Sequence, residues 1–169
     1  MGNLLYFDFE EHQIPTPRLA LARVPKLGPQ WRIIHDFKPT EYHVEHALSF
    51  KFVANDPLGG CCVRIGLHST KIILQQLSFD LEDDLEDVED IVESSQLPKI
   101  GEWTKIEVGH EKVGGKFFLY LSIGGREVGR TDDIDPRLMK LTDVRVTLGH
   151  DAQKFYQPGF IRRLVVLEN

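Results

Sequence analysis

Along most of the chain polar and apolar residues alternate with a period of two. Asn3–Glu10 sets Leu5, Phe7 and Phe9 against Leu4, Tyr6 and Asp8. His46–Asn55 sets Leu48, Phe50 and Phe52 against Ser49 and Lys51, and Thr104–Gly109 sets Ile106 and Val108 against Lys105 and Glu107. Asp143–Gly149 sets Val144, Val146 and Leu148 against Arg145 and Thr147, and Phe160–Glu168 reads as a final strand. Successive side chains of a strand leave opposite faces of its sheet, so this pattern predicts half-buried antiparallel strands. Turn signals separate the runs. Gly114-Gly115 and Gly124-Gly125 lie between apolar segments and predict tight hairpins that need positive φ. Many short strands joined in this way predict an all-β antiparallel sandwich or jelly roll of roughly a dozen strands. No repeat and no break in composition divides the chain, which reads as one domain over 1–169.

Residues 80–95 break the pattern. Leu81, Leu85, Val88 and Val92 are spaced by four, three and four, which predicts a short amphipathic helix inserted between strands. The same segment is strongly acidic: nine of the chain's 26 acidic residues fall within 80–93, with no basic residue among them. The remaining 17 acids face 20 basic residues, so the formal charge of −6 belongs to this segment and the body is nearly neutral. No basic face of the kind that neutralises phosphates is legible, which disfavours nucleic acid as a partner. No apolar run approaches the ~20 residues of a membrane-spanning helix.

The stretch from Gly101 carries a resemblance. Gly101-Glu102-Trp103, Leu119–Gly125, Val146–Gly149 and Gly159–Val165 follow the order of motifs in the carboxy-terminal half of concanavalin A-like jelly-roll domains, such as laminin G domains and pentraxins. Leu5–Glu10 and Ala47–Phe52 resemble two earlier strands of that superfamily, so the resemblance spans nearly the whole chain. It implies a non-enzymatic recognition module, foremost a carbohydrate-binding lectin-like domain. A protein–protein adhesion domain of the laminin G type is the alternative, and a glycan-cleaving enzyme is a third. The galectins are related sandwiches, but their His-x-Asn-Pro-Arg motif is absent. Ile106 and Val108 stand where their second motif, counted from Trp103, wants Glu and Arg. The partner is thus a glycan or a protein.

Loops between strands usually carry recognition. The loops at 54–60 and 149–157 are therefore the expected ligand site, with Asn55, Asp56, His150, Asp151 and Tyr156 as its binding residues. Tyr supplies a stacking surface, and His and Asp supply polar contacts or a cation ligand. An exposed Trp31, Tyr42, Tyr120 or Tyr156 beside polar side chains would serve as a sugar platform. Trp103, at a strand start, is expected to cap the core edge, and Gly159 to permit a bend or close backbone approach into the last strand.

Metal and catalytic signals are weak. His43 and His46 fall on opposite faces of a strand and cannot chelate one zinc. Glu82, Asp84 and Glu86 have the alternating spacing of a glycosidase strand, but so dense a run of acids makes such a match almost inevitable. No catalytic residue is assigned and no cofactor is required. Calcium stays open, because Asn55, Asp56, Asp132, Asp133, Asp135 and Asp151 lie in expected loops, where Asx turn chemistry also explains them. Cys61 and Cys62 are adjacent, which predicts one buried thiol and one outward thiol. Met1–Tyr6 has neither the basic region nor the cleavage pattern of a signal peptide. The compartment is not legible in the sequence: extracellular if a leader is removed or export is non-classical, otherwise cytoplasmic. Oligomeric state is not legible.

Overall fold

The structure, a computed structural model, describes residues 2–14, 20–42, 47–56, 59–80, 86–147 and 159–168. Two six-stranded sheets face each other. The first has the order β1 (Gly2–Ile14), β12 (Gly159–Glu168), β3 (Trp31–Pro39), β8 (Thr104–Val113), β9 (Lys116–Ile123) and β10 (Arg126–Thr131). The second has the order β2 (Ala20–Leu27), β11 (Leu141–Thr147), β4 (Ala47–Asp56), β5 (Gly59–Leu67), β6 (Ile72–Asp80) and β7 (Glu86–Ser94). Neighbouring strands in both sheets run antiparallel. The expected antiparallel sandwich is therefore the fold, and the order of strands in each sheet shows the crossovers of a jelly roll.

Alternation produces the core as the sequence predicts. Trp31, Ile33 and Phe37 of β3, Ile106 and Val108 of β8, and Leu164 and Val166 of β12 meet Val63, Ile65, Leu74, Val144 and Val146 from the other sheet in one buried cluster. Leu138, on a short 3₁₀ turn at Pro136–Met139, joins that cluster. Both glycine pairs turn as expected, with φ of 58° and 89° at Gly114 and Gly115, and 62° and 83° at Gly124 and Gly125. Gly159 also does what its position predicts. A Cβ there would lie 2.6 Å from the Lys38 carbonyl oxygen, so only glycine lets β12 enter its ladder that close to β3.

Three expectations are corrected. Residues 86–94 form β7, an edge strand, and not a helix; residues 81–85 lie outside the described ones. A helix would put Val88 and Val92 on one face, whereas a bulge in β7 puts them on opposite faces. Leu74 pairs with Val92 and Gln75 with Asp90, leaving Ile91 as the extra residue. The bulge turns Val92 into the core at 7% exposure while Val88 stays outside at 45%. Three β-branched residues suit a pleated ladder, and acids on an edge strand discourage pairing with another chain. The second correction is that Cys61 and Cys62 are both buried. Cys61 joins the core, while Cys62, on the other face, sits between Val53 and Leu77 in the middle of the sheet and is covered there.

The third concerns tryptophan. Trp31 is the core tryptophan, stacked at 5.8 Å on His110, which stacks at 5.3 Å on Phe117. Trp103 instead lies half-buried against cations: Arg162 is 4.4 Å and Lys38 4.8 Å from its ring centroid.

Candidate functional site

The sequence-predicted site residues are distributed as follows. Asn55 and Asp56 are the last ladder residues of β4, paired with Gly60 and Gly59, and so belong to a strand end and not to a loop. His150, Asp151 and Tyr156 lie outside the described residues. The last described residue of β11, Thr147, pairs with Lys51, five positions along β4 from Asp56.

Of the expected aromatic platforms, Tyr156 lies outside the described residues and Tyr42 is half-buried. Trp31 and Tyr120 are buried. The Tyr42 hydroxyl donates to the Pro98 carbonyl at 2.5 Å, and burial raises its pKa. Tyr120 lies on the outer face of the first sheet, where its hydroxyl donates to Glu107 Oε1 at 2.7 Å. Glu107 also faces Lys105 at 3.5 Å and Arg32 at 3.6 Å.

The aspartates of the 131–137 segment perform turn chemistry. The Asp133 N–H donates to Thr131 Oγ1, Asp132 pairs with Lys116, and Asp135 Oδ1 caps the 3₁₀ turn by accepting from the Arg137 N–H at 2.8 Å. Among the described residues no cluster of three or more His, Cys, Asp or Glu side chains is placed to hold a metal ion. This segment borders a cleft of about 400 Å³ lined by Gln76, Ser78, Asp133, Asp135 and Arg137. Arg137 Nη1 donates to the Gly60 carbonyl at 2.7 Å, which ties the cleft to the end of the sheet where Asn55 and Asp56 lie.

The outer face of the second sheet carries a constellation that the sequence reading missed. Arg64 of β5, Gln75 of β6 and Asp90 of β7 occupy one transverse row. Arg64 Nε donates to Gln75 Oε1 at 2.7 Å, and Gln75 Nε2 donates to Asp90 Oδ1 at 2.5 Å. Each group fixes the next, so three polar heads are held without freezing flexible side chains at the moment of binding. The row leaves the terminal Arg64 nitrogens and Asp90 Oδ2 outside these two bonds. Cys62, Ile73 and Leu77 flank it on the same face and are themselves buried. The legible signal was a polar residue interrupting an apolar strand: Arg64 within Cys61–Leu67, and Gln75 within Ile72–Leu77.

No protein-family model matches the chain, and no curated protein matches it. Solved structures do. The sialyllactose-bound carbohydrate-binding module of a Ruminococcus gnavus sialidase is similar over 99% of this chain and 94% of its own, at 11% identity and a TM-score of 0.63. A Caenorhabditis elegans galectin is similar over 96% of both chains, at 10% identity and a TM-score of 0.53. Domain 4 of a Geobacillus stearothermophilus arabinanase, bound to arabinotriose, covers 87% of this chain and 66% of its own, at 18% identity and a TM-score of 0.56. At these identities the likeness is one of fold, and the fold is an antiparallel β-sandwich of the jelly-roll type.

Proposed function

We propose that this protein is a non-enzymatic recognition module that binds a glycan across the Arg64–Gln75–Asp90 row. The observation that carries the proposal is the row itself: on the outer face of the second sheet a buried amide locks a partly exposed guanidinium on one side and an exposed carboxylate on the other. Adjacent sugar hydroxyls each need an acceptor for their proton and a donor for their oxygen. Asp90 offers the first and the Arg64 guanidinium the second, at a spacing fixed by the strands. The sialyllactose and arabinotriose held by two proteins of similar fold agree with this reading, although fold alone does not assign a ligand.

A second reading places the glycan in the cleft beside Pro136–Met139, which offers the better concavity and adjoins Asn55 and Asp56. A glycan array, run with calcium and with a chelator, tests both. Binding abolished by Arg64→Ala and unchanged by Gln76→Ala supports the row, and the opposite pattern supports the cleft. Silence across the array under both conditions overturns glycan recognition in favour of a protein partner.

A further inference from the structure

The first sheet has a corner whose chemistry differs from that of the row. Trp103, one residue before β8, lies with Lys38 of β3 and Phe160 of β12, with Lys38 Nζ 4.8 Å from the Trp103 ring centroid and 5.0 Å from that of Phe160. The Arg162 guanidinium lies 4.4 Å from the Trp103 centroid, and its Nε is 3.4 Å from Asp36. In the next row Lys105, Asp36 and Arg163 stand abreast, with Arg163 Nη2 donating to Asp36 Oδ1 at 3.0 Å. Asp8 of β1 stands opposite Arg163 in the backbone register.

Four cationic side chains, Lys38, Lys105, Arg162 and Arg163, therefore gather around Asp36 and Trp103, within a protein whose formal charge is −6. Asp36 is buried, but Lys105, Arg162 and Arg163 keep 39, 47 and 36% of their side-chain surface exposed. The arrangement is rigid, because a guanidinium stacked on an indole and held by a carboxylate presents its fork in one orientation. It also sets an aromatic ring beside the charges.

We infer that this corner is a second binding site, for a saccharide that bears carboxylate or sulfate groups. Arg162 and Arg163 supply forked donors to the anion, Lys38 and Lys105 supply point charges around it, and the edges of Trp103 and Phe160 contact the sugar. The inference is independent of the Arg64 row, which lies on the other sheet.

The test is fluorescence-detected binding of labelled dextran sulfate, with dextran as its uncharged counterpart, polygalacturonate as the carboxylate form and poly(U) as a polyanion without the sugar-borne groups. Dextran sulfate is expected to bind, to weaken as salt rises, and to exceed dextran by about tenfold or more, because charge-assisted contacts are lost with the sulfates. Polygalacturonate binding assigns the site to any sugar-borne anion, and its absence narrows the site to sulfate. The double substitution Lys38→Gln with Arg162→Gln should weaken binding by about tenfold, while Arg126→Gln, at an exposed position of β10 outside both sites, leaves it unchanged. Lys105→Gln, on an exposed side chain, is the companion variant should the double substitution fail to fold, and is expected to weaken binding by about threefold. Equal affinity for dextran and dextran sulfate, equal affinity for poly(U), or charge variants indistinguishable from the parent overturns the inference.

Discussion

Gly109→Ala is expected to destabilise the protein although its backbone conformation accepts any residue. Gly109 lies mid-strand on the outer face of the first sheet, paired with Tyr120 across β9. In an open strand position alanine would gain about 0.5–1 kcal/mol over glycine by restricting the unfolded chain. Here a Cβ would overlap the Tyr120 ring. The ring must move, and its hydroxyl then leaves Glu107, to which it donates at 2.7 Å with both residues buried. Losing a hydrogen bond to a charged group costs about 1.5–3 kcal/mol, and crowding the ring adds about 1–3 kcal/mol. The net effect is a loss of about 3 kcal/mol, which for a chain of this length lowers Tm by about 6–12 °C. Tyr120→Phe keeps the ring and should lose only the hydrogen-bond portion, about 2 kcal/mol. In a Tyr120→Ala background the glycine substitution should cost less than about 1 kcal/mol, because the clash is gone. Calorimetric melts of the four proteins measure this cycle. A Gly109→Ala protein that melts within about 2 °C of the parent, or one whose cost persists without the ring, refutes the reasoning.

Further expectations follow from other positions. Burial holds His35 down to about 4, well below its ordinary 6.5, so the folded state keeps it neutral while the unfolded state takes up a proton. Stability should therefore fall as pH drops from about 6.5 to about 4, by up to about 3 kcal/mol, and urea midpoints for the parent and His35→Leu should show a shallower decline in the variant. His110, also held below its ordinary pKa by burial, adds to the slope in the same direction. Gly159→Ala should lower the urea midpoint by an amount equivalent to about 1–3 kcal/mol, because the Lys38 carbonyl it meets is backbone and cannot swing aside. Asp90→Asn keeps an acceptor for Gln75 but removes the charge facing solvent. Titration calorimetry should show glycan affinity reduced by about tenfold with Tm changed by less than about 2 °C.

The scaffold was legible because its physics is local. Period-two alternation marks which side chains enter the core, and paired glycines mark where the chain reverses, so β8, β9 and β10 and their two hairpins follow directly. The acidic segment was misread because spacing cannot separate a helix from a bulged strand. Val88 and Val92 sit four apart in both, and the choice is made by the open edge of β6 and the contact of Val92 with Gly129 of β10. The Arg64 row was illegible for a different reason. Its members are 11 and 15 residues apart in sequence and become neighbours only through the β5–β6–β7 register. The same holds for the Trp103 corner, where Lys38 and Arg162 come from opposite ends of the chain. Chain-wide charge counting hid that cluster, because it averages over both sheets.

The most direct test of glycan recognition at the Arg64 row is nitrogen-15 NMR of the Gln75 side-chain amide and the Arg64 Nε–H, followed during titration with the glycans that bind best on the array. The account predicts that both resonances shift saturably with added glycan, along with the Asp90 backbone amide. It is contradicted if these signals stay fixed at saturating glycan while amides around Pro136–Met139, or anywhere else on the molecule, respond.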